Sequence, residues 1–157
     1  MNILAIDPGN IESAYVLIDD HYRLIDFDKV ENHELLEIIE DMDFDSVAIE
    51  MVASYGMAVG ATVFETCVWI GRFTEFVKPC EAQYIYRKDV KMNICGQTRA
   101  KDSNIRQALI DRFARHDFKN GKGTKANQDY FYGFKADIWQ SYACGVTYLD
   151  SQLEKCL

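Results

Sequence analysis

The chain opens with MNILAIDPG at residues 1–9, and this segment sets how the rest of the sequence is interpreted. Ile3 to Ile6 form a short apolar run that predicts a buried strand, and Pro8-Gly9 predicts a turn directly after it. Asp7 is therefore delivered to the end of a strand, where α/β proteins place ligands and chemistry. Asp is also common where a turn begins, so the segment alone leaves a purely structural role open.

Composition indicates one globular domain spanning residues 1–157, with 48% hydrophobic and 13% aromatic residues. The N-terminus shows no basic leader, and no apolar stretch approaches the ~20 residues of a membrane span, so we expect a cytoplasmic protein. The five cysteines are an odd number without CxxC spacing. They indicate reduced thiols rather than disulfides or a zinc site.

Charge is distributed unevenly along the chain. The net charge is −8 overall, but residues 1–86 carry −13 and residues 87–157 carry +5. Such asymmetry indicates a nucleic-acid-binding face in the second half, although an ordinary solvated surface would also explain it.

The pattern of apolar residues predicts a mixed α/β fold. After the first strand come a hairpin (13–18 and 22–27), a short acidic helix (34–42), a strand (46–50) that ends in Glu50, and a long apolar helix (58–77). A strand (81–86), basic helical segments (87–95 and 101–115), a glycine- and lysine-rich mobile loop (116–134) and a closing helix (136–150) follow. This order of strands and helices is typical of a ribonuclease H-like fold, in which an antiparallel hairpin and parallel strands share one central sheet flanked by helices.

Three carboxylates occupy comparable positions in this pattern. Asp7 and Glu50 each end a strand, and Asp137 begins the closing helix, where a simple N-cap role is the alternative. Carboxylates brought together repel one another unless a cation lies between them. Oxygen ligands without a His or Cys cluster suit Mg²⁺ or Mn²⁺, and two such ions ~4 Å apart can promote phosphodiester hydrolysis.

The ordered motifs resemble the RuvC-type Holliday-junction resolvases, ribonuclease H-like nucleases, and particularly their phage-borne branch. The resemblance covers nearly the whole chain and rests on the opening segment 3–9, Ala48-Ile49-Glu50, Ile70-Gly71-Arg72, the basic run 87–91, Ile94-Cys95-Gly96, Ala100-Lys101 and the closing helix from Asp137.

The resemblance implies a Mg²⁺- or Mn²⁺-dependent endonuclease that cleaves four-way junctions and other branched DNA. The protein would act as a homodimer, with two ions at each site, no small-molecule cofactor and no membrane partner, in the cytoplasm of a bacterial host if phage-encoded. The long helix 58–77 is the expected dimer face, with simple core packing as the alternative. Asp7, Glu50 and Asp137 would be catalytic and would ligate the metal.

The resemblance also implies a set of DNA contacts. Lys91 and Lys101 lie at the two basic positions of the family, and Tyr55 lies where the family carries an aromatic residue near the crossover. Tyr55 could stack on an unpaired base or could equally be a packed core residue. The other expected phosphate contacts are Arg87, Lys88, Arg99 and Arg106.

One position departs from the family. Gln140 stands where the resolvases usually have a fourth acid, three residues after Asp137. It can offer an amide oxygen to a metal or to a water molecule but no negative charge, which predicts weaker metal binding unless another acid, with Asp102 the nearest candidate, substitutes.

The departure at Gln140 keeps a second class of function open, a branched-DNA-binding architectural protein with weak or lost cleavage. An actin-like phosphotransferase is a third reading of Asp7-Pro8-Gly9. It is disfavoured because the chain is too short for that class's two-domain cleft and shows no second phosphate-binding glycine loop.

Overall fold

The computed structural model describes all 157 residues and contains one five-stranded sheet and five helices. The strands are β1 (Asn2–Asp7), β2 (Glu12–Asp19), β3 (Leu24–Glu31), β4 (Ser46–Met51) and β5 (Ala82–Tyr86). The helices are α1 (Asn32–Glu40), α2 (Ala61–Phe76), α3 (Arg87–Cys95), α4 (Asp102–Phe113) and α5 (Ile138–Lys155). No helix is both long enough and apolar enough to cross a membrane.

The sheet has the order β3-β2-β1-β4-β5. β1, β2 and β3 pair antiparallel, whereas β4 is parallel to β1 and β5 is parallel to β4. The predicted mixed sheet, built from a hairpin and parallel strands, is therefore confirmed.

Both faces of the central strand are buried, which explains its uninterrupted apolar sequence. Leu4 and Ile6 belong to a core that includes side chains of α1 and α2. Ile3 and Ala5 belong to the opposite core, which includes side chains of α3, α4 and α5. The sheet is thus the middle of three layers, and the odd-numbered residues of β1 face α5.

Helix α5 lies unusually close to the sheet at Gly145. A Cβ atom placed there would lie 3.1 Å from the Cβ of Ala5 and 3.0 Å from the Cδ1 of Ile18. Both distances are tighter than ordinary packing, so the absence of a side chain at Gly145 is what permits this approach.

Two predicted segments differ from the structure. The long apolar helix is shorter, Ala61–Phe76, and it leaves Phe64 and Val68 exposed, so it is not a central core helix on all sides. The segment 116–134 is irregular, as expected, but it is anchored in the core. Phe131 and Phe134 are fully buried against the closing helix, where their rings contact those of Trp139 and Tyr142.

Candidate active site

Strand register places charged side chains in one row across the sheet. Lys29 of β3 pairs with Ala14 of β2, and Ala14 pairs with Asp7 of β1. Ile6 pairs with Ile49, so the next residues, Asp7 and Glu50, meet at the carboxyl ends of two parallel strands. Because side chains alternate along a strand, Asp7 continues the face of Ile3 and Ala5, which is the face covered by α5.

The turn that follows Asp7 is held by a buried polar network. Ser13 Oγ donates to Asn32 Oδ1 at 2.6 Å, and Asn32 Nδ2 donates to the Gly9 carbonyl at 2.9 Å. Gly9 N–H in turn donates to Ser13 Oγ at 3.1 Å. A Cβ at Gly9 would lie 2.2 Å from the carbonyl oxygen of Glu12, so only glycine fits this turn.

The N-terminal end of α5 supplies the third carboxylate. Asp137 stands at the N-cap position, but its side chain makes no capping hydrogen bond, so the alternative of a simple N-cap does not hold. The side chain of Gln140, one turn later, reaches the same acid cluster. Cys144, one further turn along and fully buried, has a pKa well above its usual value because of burial and because Glu50 and Asp7 lie nearby.

Asp7 is the most perturbed of these acids. Burial, together with the nearby charges of Glu50 and Asp137, raises the pKa of Asp7 to about 8. Burial raises the pKa of Glu50 as well, although Arg87 acts to lower it. The site therefore concentrates more negative charge than its surroundings stabilise.

Arg87, the first residue of α3, points into this cluster. Its Nη1 donates to Gln140 Oε1 at 2.6 Å and to Glu50 Oε1 at 3.2 Å, while Nη2 pairs with Asp102. Burial by itself would lower the pKa of Arg87, but Glu50 and Asp102 raise it overall. Asp102 is thus at the edge of the cluster, linked to it through Arg87.

Lys29 is the second cation of the site. Its Nζ lies 2.7 Å from Asp137 Oδ2, and this hydrogen bond raises the pKa of Lys29. The side chain of Asp137 remains half exposed in the pair, in contrast to that of Glu50, which is largely buried.

The donor chemistry of the cluster suits a hard divalent cation, because the cluster offers three carboxylates and one amide oxygen. Asp7 lies buried among them, and burial is the main cause of its raised pKa, followed by the charges of Glu50 and Asp137. However, no group of three or more His, Cys, Asp or Glu side chains is arranged as a metal site. In this structure Lys29 pairs with Asp137 and Arg87 pairs with Glu50.

The other sequence-predicted DNA contacts differ in availability. Lys88, Arg99 and Lys101 are exposed and Lys91 is half-buried, and none of these four forms an ion pair. Arg106 is turned inward instead, with its guanidinium carbon 5.6 Å from the ring centre of Trp139. The basic surface is defined here as Lys88, Lys91, Arg99 and Lys101.

Tyr55 lies in the irregular segment between β4 and α2, and 65% of it is exposed, so it is not a core residue. It lines a cleft of about 270 Å³ together with Asp7, Glu50 and Arg87. A neighbouring cleft joins Tyr55 to Lys88 and Lys91. One aromatic side chain therefore lies between the acid cluster and the basic surface.

Sequence reasoning missed two features of the site. It assigned Arg87 to DNA and did not single out Lys29. The only local signal for Lys29 is its place in an alternating strand, and its meaning depends on the register with Ala14 and Asp7. The inward turn of Arg87 has no local signal, because its partners lie 15 to 53 residues away.

No family model and no curated protein matches this chain in sequence. Two solved structures are similar to it over nearly its whole length. RuvC of Thermus thermophilus has a TM-score of 0.67 at 14% identity, covering 98% of this chain and 97% of that one. T. thermophilus RuvC in complex with a Holliday junction substrate has a TM-score of 0.69 at 12% identity, covering 98% and 96%. The chain therefore has a RuvC-like, ribonuclease H-like fold.

Proposed function

We propose that the protein is a metal-dependent endonuclease that cleaves branched DNA, with the four-way junction as its main substrate. The observation that carries this proposal is the convergence of Asp7, Glu50 and Asp137 at one end of the sheet of a RuvC-like fold. A buried acid with a strongly raised pKa inside a cleft is typical of a functional site.

Asp7, Glu50 and Asp137 would hold Mg²⁺ or Mn²⁺, with Gln140 as a neutral oxygen donor. Such an ion supplies charge stabilisation at the scissile phosphate and activates water for hydrolysis. Asp7 is fixed by the sheet and by the turn at Gly9, so its carboxylate is pre-positioned. Lys29 would compete with the ion for Asp137 Oδ2. Two ions per site stay a prediction from the resemblance.

The basic surface would bind DNA phosphates beside the acid cluster. Lys88 and Lys91 line the cleft that adjoins Tyr55, and Lys101 stands at the start of α4. Because exposed lysine and arginine side chains neutralise phosphates by releasing counterions, binding should weaken steeply with salt. Tyr55 would stack on a base that is unpaired at the branch point.

The exposed face of α2 supports assembly into a homodimer. Phe64 and Val68 lie one turn apart on this face and are 62% and 61% exposed. Two symmetric cuts require two active sites, which a twofold dimer supplies. A phage origin and a location in the bacterial host cytoplasm stay predictions from the resemblance.

A second function, junction binding without efficient cleavage, is favoured by a specific observation. Gln140 provides no charge. Asp137 and Glu50 are already paired with cations, Asp137 with Lys29 and Glu50 with Arg87. The basic surface does not depend on that pairing, so DNA binding would persist where cleavage is lost.

One experiment separates the two functions. Labelled four-way junction, fork and linear duplex are incubated with the purified protein in Mg²⁺ or in Mn²⁺, and products are resolved on denaturing gels. The nuclease cuts the branched substrates, whereas the binding protein retards them on native gels and yields no product in either ion. Asp7→Asn is the matched variant, because full cleavage by it would exclude the proposed active site.

A further inference from the structure

Arg87 occupies one side of the acid cluster, the side formed by Glu50 and Gln140. Its guanidinium Nη1 donates hydrogen bonds to Gln140 Oε1 at 2.6 Å and to Glu50 Oε1 at 3.2 Å. A metal ion would compete with the guanidinium for these two oxygen atoms, whereas Glu50 keeps its second carboxylate oxygen outside the contact with Arg87.

Arg87 carries the positive charge on this side of the cluster. Gln140 is neutral, so Glu50 is the acid inside the cluster that pairs with the guanidinium, and Asp102 is a second carboxylate partner at the edge of the cluster. A divalent ion beside a retained guanidinium would be repelled by it.

The other side of the cluster is held far more loosely. Asp137 has one cationic partner, Lys29, through a single contact of 2.7 Å, and the Asp137 carboxylate is half exposed. Exposed pairs of this kind contribute little to stability, and the lysine stem can carry its ammonium group into water. Arg87 has three partners and a planar guanidinium that bridges them, so it resists displacement more strongly than Lys29.

We propose that Arg87 is a built-in cation that replaces one of the two expected metal ions, so that each site binds a single divalent ion between Asp7 and Asp137. This inference rests on the proposed metal-dependent function and refines it. Gln140 and Arg87 form one unit in this view, since the amide is an acceptor for the guanidinium. Arg87 is accordingly a positioning residue of the acid cluster and does not belong to the basic surface.

Counting bound Mn²⁺ tests the inference without any measurement of activity. The full-length protein is titrated with Mn²⁺ at neutral pH, the free ion is quantified by electron paramagnetic resonance, and the bound signal is inspected for coupling between neighbouring ions. We expect one uncoupled Mn²⁺ per chain for the wild type. The double variant Arg87→Met with Gln140→Asp restores an acid and removes the cation, so it should bind two coupled ions.

Two controls accompany the titration. Lys88→Met removes the adjacent cation, which makes no ion pair with the acids, and should leave the count at one. Arg87→Lys keeps the positive charge and should also bind one ion. Circular dichroism establishes that each variant is folded, and the wild-type count tests the inference even if the double variant does not fold.

The outcomes are decisive. Two coupled ions in the wild type, no bound ion, or a single ion in the folded double variant would each overturn the inference. The junction-cleavage assay is read separately. One bound Mn²⁺ without cleavage would reject the nuclease and support the role of Arg87, whereas cleavage with two coupled ions would support the nuclease and reject that role.

Discussion

The two ends of α5 hold carboxylates in opposite circumstances. Near the C-terminal end, Asp150 accepts hydrogen bonds from Tyr22 at 2.7 Å, from Asn93 at 2.8 Å and from both Nη atoms of Arg112 at 2.8 and 2.9 Å. Although burial opposes it, this set of donors lowers the pKa of Asp150. At the N-terminal end, Asp7 is buried beside two other acids, and its pKa is raised to about 8.

This difference separates an acid that holds the fold together from acids that are available to a ligand. Asp150 links α5 to the turn before β3, to α3 and to α4. Hydrogen-bond donors within the protein stabilise its negative charge. The charge around Asp7 is in excess. A fold retains such an arrangement at the expense of stability when a bound cation or substrate completes it.

The largest expected effect is on catalysis at the N-terminal end. Asp7→Asn should reduce junction cleavage by at least ~10³-fold, because the carboxylate at the centre of the cluster is lost. The variant should be at least as stable as the wild type at neutral pH. A buried carboxyl whose pKa is raised to about 8 destabilises the folded state above its unfolded pKa, and Asn removes that cost. Gel assays in Mn²⁺ and urea unfolding measure the two quantities, and a variant that is inactive only because it is unfolded would contradict the comparison.

The opposite result is expected at the C-terminal end. Asp150→Asn should lower the free energy of unfolding by about 2 kcal/mol, because hydrogen bonds to a charged acceptor are lost. Since the pKa of Asp150 is lowered in the folded state, its contribution is complete above the unfolded pKa of about 3.9 and disappears as the pH falls through the folded value. The difference between wild type and variant should therefore be largest near pH 7 and shrink below about pH 4.

Asp43→Asn is the matched control for this measurement, because the Asp43 carboxylate is exposed and forms no ion pair. Its unfolding curve should follow that of the wild type within about 0.5 kcal/mol. Equal losses in the two variants would show that Asp150 is not an anchor.

A smaller effect is expected on DNA affinity, which should depend on lysines of the basic surface and not on a lysine near the C-terminal end of α5. Lys91→Ala and Lys101→Ala should each weaken junction binding by about 1 kcal/mol and reduce the slope of log affinity against log salt by about 1. Lys155→Ala, near the C-terminal end of α5, should change neither quantity. Fluorescence anisotropy in Ca²⁺ over a series of salt concentrations measures both, and an equal loss at Lys155 would place the DNA elsewhere.

The smallest effect is expected for the exposed pair at Asp137. Lys29→Met should change the free energy of unfolding by less than about 1 kcal/mol, because only a single, partly exposed contact is lost. The same variant should bind Mn²⁺ more tightly, since Asp137 no longer has to be released. Unchanged Mn²⁺ affinity would show that Lys29 does not compete for this acid.

Much of the fold follows from local patterns. The uninterrupted apolar run 3–6 predicts a strand covered on both sides, and both cores are present in the structure. Helix ends are less predictable. The long apolar helix begins at Ala61 rather than at residue 58, and α5 continues to Lys155 rather than ending near residue 150. Loss of apolar periodicity in an exposed last turn removes the signal for where a helix ends.

The residues of the site also differ in how well the sequence predicts them. Asp7 and Glu50 are predictable because each directly follows a buried strand run, and strand ends meet at one edge of a parallel pair. The direction of the Arg87 side chain is not predictable, because it depends on Glu50 and Gln140 from other elements. The packing of residues 116–134 on the core is not predictable from the local sequence. The glycines and lysines of this segment indicate a loop, whereas the burial of Phe131 and Phe134 depends on α5.

The contact at Gly145 has a consequence for how the acids are spaced. Asp7 and Glu50 lie on the sheet, whereas Asp137 and Gln140 lie at the start of α5. Near the acids the sheet and the helix are joined through side chains, by Lys29 to Asp137 and by Arg87 between Glu50 and Gln140. The gap between sheet and helix also depends on how near α5 can come to Ala5 and Ile18. A single methyl group at Gly145 would push α5 away from the sheet. The distance between the acids on the sheet and Asp137 on α5 would then increase, although the methyl group would contact no acid.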